Sequence, residues 1–325
     1  MKGCSLILLL AVLACGAVCQ QAPPTQPGTK QAEQLLAPEK DWRVTWRNAT
    51  VAFGQVGEDA LTKQKFFSAV GTGVLITPGS NSAMGYLVTA RHVFCEPEKK
   101  WFPLSLNVRF AWEDHKSIYS YVGIPMPLRA GEKPLWATLD DDTDIAVLPF
   151  PALEVYNALP PDDRKSVVQT VGISSLSTEV YAGEPVLIFG YPALAGNDRL
   201  VRAFLRQGVV AWTNPTNADA PFMIDANLFE GNSGGPVVRF PFGLLANGTW
   251  SYMGNGDVSL LGIVSQVMME DVRSTTSVPA VGKIETHTQI SGVGALGVIE
   301  PTSKILKLIN AMQEGKTKTP VCPVK

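Results

Sequence analysis

The chain has 325 residues, 46% of them hydrophobic and 17% charged, with 29 glycines, 24 prolines and a formal net charge of −2. That length exceeds one small domain, yet an all-β protein can run to about such a size as one unit. The Gly and Pro content fits short strands and many turns. No basic stripe interrupts the slightly acidic balance, so nucleic acid is not expected as a partner.

Residues 1–19 read as an export signal. Met1-Lys2-Gly3-Cys4 is weakly basic, and Ser5 to Ala14 is apolar but too short to span a bilayer. Two processing routes fit. Val12-Leu13-Ala14-Cys15 resembles a bacterial lipobox with Val where Leu is usual, which would make Cys15 a lipidated membrane tether. Small-residue cleavage near Ala14-Cys15-Gly16 or Ala17-Val18-Cys19 would instead release a soluble protein. The product would lie in the periplasm, on the cell envelope or outside the cell. Residues 20–40, rich in Gln, Pro and Ala without periodicity, read as a disordered tether.

The folded region is read as 41–325. Val44 to Val56, Lys65 to Ile76 and Tyr86 to Val93 are strand-like and open a first barrel over about 42–160. Gly85-Tyr-Leu-Val-Thr-Ala-Arg-His92-Val delivers a histidine from a core strand. Of the other two histidines, His115 sits in a charged loop, and His287 reads as structural, exposed or lining a substrate pocket. In Asp140-Asp-Asp-Thr-Asp144-Ile-Ala-Val-Leu the first three acids read as solvated. Asp144 abuts the apolar strand and needs a partner if buried, and an imidazole N–H suits it. Leu153 to Lys165 reads as the linker.

The second barrel is placed over about 167–299, with strands Val186 to Tyr191, Leu205 to Trp212, Met223 to Ala226, Gly235 to Arg239, Ser259 to Val267 and Val293 to Ile299. Between two of them lies Gly231-Asn232-Ser233-Gly234-Gly235-Pro236. A hydroxyl in such a turn is open to a carbonyl substrate, and glycines let N–H groups face an oxyanion. Pro241 to Asp257 reads as a hairpin insertion. A closing helix over about 302–313, capped by Thr302 or Ser303, would bury Ile305, Leu306, Ile309 and Met312. Of five cysteines, Cys4, Cys15 and Cys19 fall in the signal region. Cys95 and Cys322 remain as a disulfide or two separate thiols. No Cys/His cluster has ligand spacing, so neither metal nor cofactor is expected.

The order His92, Asp144, Ser233 is that of chymotrypsin-like serine proteases. With Gly71 to Ile76 (G-x-G-V-L-I) and Asp225-Ala-Asn-Leu-Phe-Glu-Gly-Asn-Ser-Gly-Gly-Pro, the chain resembles the chymotrypsin/trypsin-like fold. It is most similar to the bacterial HtrA-like (high-temperature-requirement) branch, whose serine segment runs D-A-x-I-N-x-G-N-S-G-G-P. The likeness covers roughly residues 45 to 312. It implies an all-β fold of two Greek-key six-stranded barrels with a C-terminal helix.

The resemblance also implies an endopeptidase acting on polypeptides. Ser233 is the nucleophile, His92 the base and Asp144 its orienting acid, while the Gly231, Asn232 and Ser233 segment supplies the oxyanion hole. Ser265 matches the position that supports the Asp and begins the substrate-binding strand. Asn227 and Leu228 approach the S1 pocket, where neither favours Lys or Arg. Val293 to Leu296 would add a small or apolar wall, and His287 leaves an acidic P1 open. Asn232 is neutral and cannot pair with a new N-terminal ammonium, so activation by N-terminal cleavage is not expected. In the family the closing helix packs on the first barrel, which suits a Cys95–Cys322 bridge. Too few residues follow that helix for a PDZ domain. The rival reading is a catalytically weak module that binds or holds polypeptides; the complete His, Asp and Ser set argues against it.

Overall fold

Three strands of the N-terminal half are apolar without interruption: Val74-Leu75-Ile76, Leu87-Val88 and Ala146-Val147-Leu148. Side chains alternate between the two faces of a strand, so such runs require burial on both. The structure is a computed structural model and describes residues 42–79, 83–113, 119–140, 142–164, 167, 170–193, 201–239, 242–244, 250–252, 258–276, 286–318, 320 and 322. The export signal, Cys15, the tether and His115 lie outside the described residues.

The N-terminal unit is a seven-stranded sheet. Its strands are β1 (Thr50–Glu58), β2 (Lys65–Thr77), β3 (Gly85–Thr89), β4 (Ser105–Glu113), β5 (Tyr119–Pro127) and β8 (Ala146–Phe150), in the order β5-β4-β1-β2-β3-β8, with β9 (Val171–Gly172) pairing β2. Two minor strands, β6 (Arg129–Ala130) and β7 (Lys133–Pro134), form a separate ladder. The second unit is a closed barrel of β10 (Pro185–Gly190), β11 (Phe204–Trp212), β12 (Phe222–Asp225), β17 (Thr286–Pro301), β16 (Leu260–Thr276) and β13 (Pro236–Arg239). Around the ring, both units follow the same Greek-key order. The first is that ring cut open, because no ladder joins β5 to β8 among the described residues.

Both faces of the first sheet are covered. Val51, Phe53, Leu75, Leu87, Phe110, Leu148 and Phe150 enclose its own core. Ala52, Val74, Ile76, Val88 and Val147 on the opposite face pack with Leu187, Phe189, Val238 and Ile263 of the barrel. Burying each large apolar side chain contributes about 1.5–3 kcal/mol. The interface between the units is thus a core in its own right.

Several local readings change. Trp42–Ala49 is a helix (α1), not the start of a strand; it buries Val44, Trp46 and Ala49. The linker region holds two short helices, α3 (Ala152–Ala158) and α4 (Pro161–Arg164), while α2 (Arg91–Phe94) is one turn after β3. The insertion contributes a hairpin of β14 (Phe242–Leu244) and β15 (Trp250–Tyr252). Strands β16 and β17 continue far past the barrel, pairing as far as Thr276 with Thr286.

The closing helix, α5 (Thr302–Gln313), buries Ile305, Leu308 and Ile309 in the inter-unit core, and Leu306 is only half-buried. Thr302 does not cap the helix. Pro301 is the cap residue and has no side-chain cap bond, and the Thr302 hydroxyl donates to the Ser177 carbonyl. Among the described residues no helix is long and apolar enough to cross a membrane.

Past α5 the chain returns to the first sheet, where Lys318 bridges Thr138 and Cys322 bonds Cys95. The Cα atoms are 6.1 Å apart, within ordinary disulfide reach. Both cysteines are buried in the first core, and the buried Arg129 guanidinium donates to the Cys322 carbonyl at 3.0 Å. The two residues are 227 apart in sequence. For a loop that long, chain entropy gives up to about 5 kcal/mol, less any native strain. A Cys95→Ser, Cys322→Ser double variant is therefore expected to lose at most that in urea unfolding. Hydrogen exchange should quicken first around α2 and the tail. Unchanged exchange in both places would refute the anchoring role.

Candidate active site

β3 ends at Thr89, and the single turn α2 then carries His92 to the groove between the two units. Asp144 stands two residues before the start of β8, the strand beside β3. The two residues meet twice. The His92 main-chain N–H donates to Asp144 Oδ1 at 3.0 Å, and His92 Nδ1 lies 2.8 Å from Asp144 Oδ2. An ionised carboxylate only accepts, so this contact places the ring proton on Nδ1 and leaves Nε2 free to accept another. From the barrel, the Ser265 hydroxyl donates to Asp144 Oδ2 at 2.6 Å. Three donors therefore converge on one half-buried carboxylate.

The loop carrying Asp144 is itself fixed. Asp140 Oδ1 accepts the Thr143 N–H at 2.8 Å. The Thr143 hydroxyl is the main cause holding the Asp140 carboxyl below its usual range; desolvation opposes it, and the Thr143 and Asp142 amides and the Lys304 ammonium assist. The Asp144 N–H donates to Glu300 Oε1 at 3.3 Å.

Ser233 sits in the turn between β12 and β13. Gly231 (φ 89°) and Gly234 (φ 81°) are both left-handed there, a conformation open to glycine at no steric cost. The turn also presses on the first sheet. A Cβ at Gly234 would collide with the Thr72 carbonyl and the Thr89 hydroxyl. The Asn232 N–H donates to the Phe229 carbonyl at 3.0 Å, so it is not a third oxyanion donor. Among the described residues, no backbone carbonyl takes the N–H of Gly231 or Ser233. These two remain as the candidate oxyanion donors.

Thr72, on β2, clamps this turn to the first sheet. Its N–H donates to the Ser233 carbonyl at 2.7 Å, and its hydroxyl donates to the Gly231 carbonyl at 2.6 Å. The same hydroxyl accepts the Tyr191 N–H at 2.9 Å, and its carbonyl accepts the Thr89 hydroxyl at 2.6 Å. Every polar atom of this fully buried residue is used. The sequence reading passed over Thr72 as the variable position of G-x-G. The available signal was the one hydroxyl within the apolar run from Ala69 to Ile76, which must find partners if buried. Glu300 was also passed over.

Thr72→Val keeps the shape but leaves the Gly231 carbonyl and Tyr191 N–H unpaired, at about 1–3 kcal/mol for each buried group. Urea unfolding should show that loss and kcat should fall, while Thr72→Ser should retain most of both. A valine variant as stable and active as the parent would remove the clamp.

The residues expected near S1 divide. Asn227 is exposed, and its carbonyl accepts the Arg206 guanidinium at 2.9 Å. Arg206 also stacks on Phe229, with 4.6 Å from its guanidinium carbon to the ring centroid. Leu228 is 2% exposed and belongs to the barrel core, not to an open pocket. It occupies the space beside Gly297 that a Cβ there would need. His287 pairs with Thr275 near the far end of the β16–β17 arm. An extended run of on the order of 30 Å separates it from Leu296 at the barrel. That distance along the arm sets it apart from Ser265, and its side chain lies outside the described residues, as do those of residues 293–295. Among the described residues no group of His, Cys, Asp or Glu is arranged to hold a metal ion.

No curated protein shows significant similarity to the chain. The family model of the trypsin-like peptidase domain matches residues 71–242, which is just over half of the chain and includes His92, Asp144 and Ser233. With the two-unit β architecture and the Greek-key order shared by both units, the chain belongs to the trypsin-like peptidase domain family.

Proposed function

We propose that this protein is an exported serine endopeptidase working through His92, Asp144 and Ser233 and an acyl-enzyme. The observation that carries this is the fixed imidazole: the Asp144 contact holds Nδ1 inward and leaves Nε2 as a base, while the His92 main-chain N–H ties the residue to the same carboxylate. Ser233, a poor nucleophile alone, gives its proton to Nε2 as it attacks the peptide carbonyl. His92 then protonates the leaving amine, and water repeats the sequence on the ester. Asp144 steadies the imidazolium formed in each half. The N–H groups of Gly231 and Ser233 receive the oxyanion, each such donor being typically worth about 10²–10³ in rate.

Within the family, the segment Asp225 to Pro236 supports placement beside the HtrA-like branch. The small or apolar residues 293–296, where the family has a wall of the S1 pocket, support a small or medium aliphatic side chain at P1. Export is supported by the N-terminal signal, and the disulfide fits an oxidising compartment. Lipidation at Cys15 would tether the enzyme through the segment 20–40.

A fluorophosphonate probe with peptide mapping tests the reading, and cleavage of a peptide library reads P1 in the same preparation. The expected adduct is on Ser233, with Ala, Val or similar residues before the cut. A folded protein without a Ser233 adduct would instead be a binding module of this fold.

A further inference from the structure

Behind Asp144, away from His92, lies a second charge pair that the triad chemistry does not use. Glu300 is the last residue but one of β17 and is 3% exposed. Its Oε1 accepts the Asp144 N–H, and its Oε2 lies 2.7 Å from Lys304 Nζ. Lys304 is in the first turn of α5 and is itself mostly buried. A cation at that end of a helix opposes the helix dipole, and a buried carboxylate beside Asp144 adds like charge to the site. Each is unfavourable there alone and tolerable beside the other.

We propose that Glu300 and Lys304 are a positioning pair for the catalytic acid. Glu300 holds the Asp144 backbone in place, and the balance of the two charges sets the field in which the His92 imidazole takes and releases its proton. The inference rests on the triad reading given above. Other charged groups on the surrounding elements are Arg91 of α2, Asp140 and exposed Asp142 of the loop, Asp219, paired with Lys307 of α5, and Lys318, bridged to Thr138; Lys304 also acts on Asp140 and Asp219, and β16 contributes the neutral Ser265.

The two charges predict opposite effects. Without Lys304, Glu300 faces the site uncompensated and favours imidazolium. Without the Glu300 charge, Lys304 disfavours it. The test is an NMR titration of the His92 ring in the full chain carrying Ser233→Ala, with His115→Gln and His287→Gln used for assignment. The midpoint should rise in Lys304→Met and fall in Glu300→Gln, each by on the order of 0.5 pH, as for a unit charge strongly screened in a partly exposed site. Lys304→Arg and the double variant Glu300→Gln, Lys304→Met should stay near the parent.

Midpoints that do not move in folded single variants, or that move the same way in both, would overturn the pair. If Lys304→Met does not fold, Glu300→Gln against the double variant decides alone. The titration reads His92 whether or not peptides are cleaved. A missing Ser233 adduct would therefore refute the protease reading and leave this measurement standing.

Discussion

Ser233→Ala is expected to lower kcat by on the order of 10⁶, as in serine hydrolases stripped of their nucleophile. The fold should not change, because the turn is held through the backbone. The Ser233 carbonyl accepts the Thr72 N–H, and Gly234 donates to the Val264 carbonyl at 2.6 Å, and neither bond involves the side chain. Urea unfolding should agree with the parent within about 0.5 kcal/mol. Residual turnover on the order of 10³–10⁴ above water would reflect the oxyanion donors and binding alone. Turnover comparable to the parent would remove Ser233 from its role.

Asp144→Asn is the second large effect. The carboxylate presents acceptors to three donors at once: His92 N–H, His92 Nδ1–H and the Ser265 hydroxyl. An amide of the same shape has one oxygen and one NH₂. If its NH₂ takes the Oδ2 position, it faces Nδ1 and pushes the ring proton to Nε2, where the base is needed. A wrong tautomer of this kind costs about 10⁴ in kcat. Steady-state kinetics at mildly alkaline pH, with unfolding measured alongside, checks it. A folded variant within tenfold of the parent would show that Asp144 does not orient the base.

The parts legible in sequence were those with strong local chemistry. His92 follows an apolar strand, Ser233 sits among glycines, and Asp144 abuts an apolar run; the structure joins the first and third directly. Failures came where tertiary packing outweighed local pattern. Trp42, Val44 and Trp46 alternate like a strand and carry β-favouring residues, yet the segment folds as α1 to cover the sheet. The β16–β17 arm beyond the barrel carries no regular apolar alternation in the sequence of residues 269–276 or 286–295, so nothing marked it. In α5 the choice between Leu306 and Leu308 depended on the direction of approach of the helix, which periodicity alone does not give. Thr72 and Glu300 gain their meaning from groups 159 and 156 residues away, Gly231 and Asp144. No local window contains such a partner.

The route of the tail has a consequence for the order in which the chain is made. His92 and Asp144 belong to the first unit, but Ser265, Glu300 and Cys322, which brace them, come later. Roughly 180 residues separate Asp144 from Cys322, on the order of 10–35 s of ribosomal synthesis. During that interval His92 and Asp144 exist without their supports, and for about half of it without Ser233. The braced site is complete only once the segment through Cys322 has been made, so the proposed machinery gains its full support last.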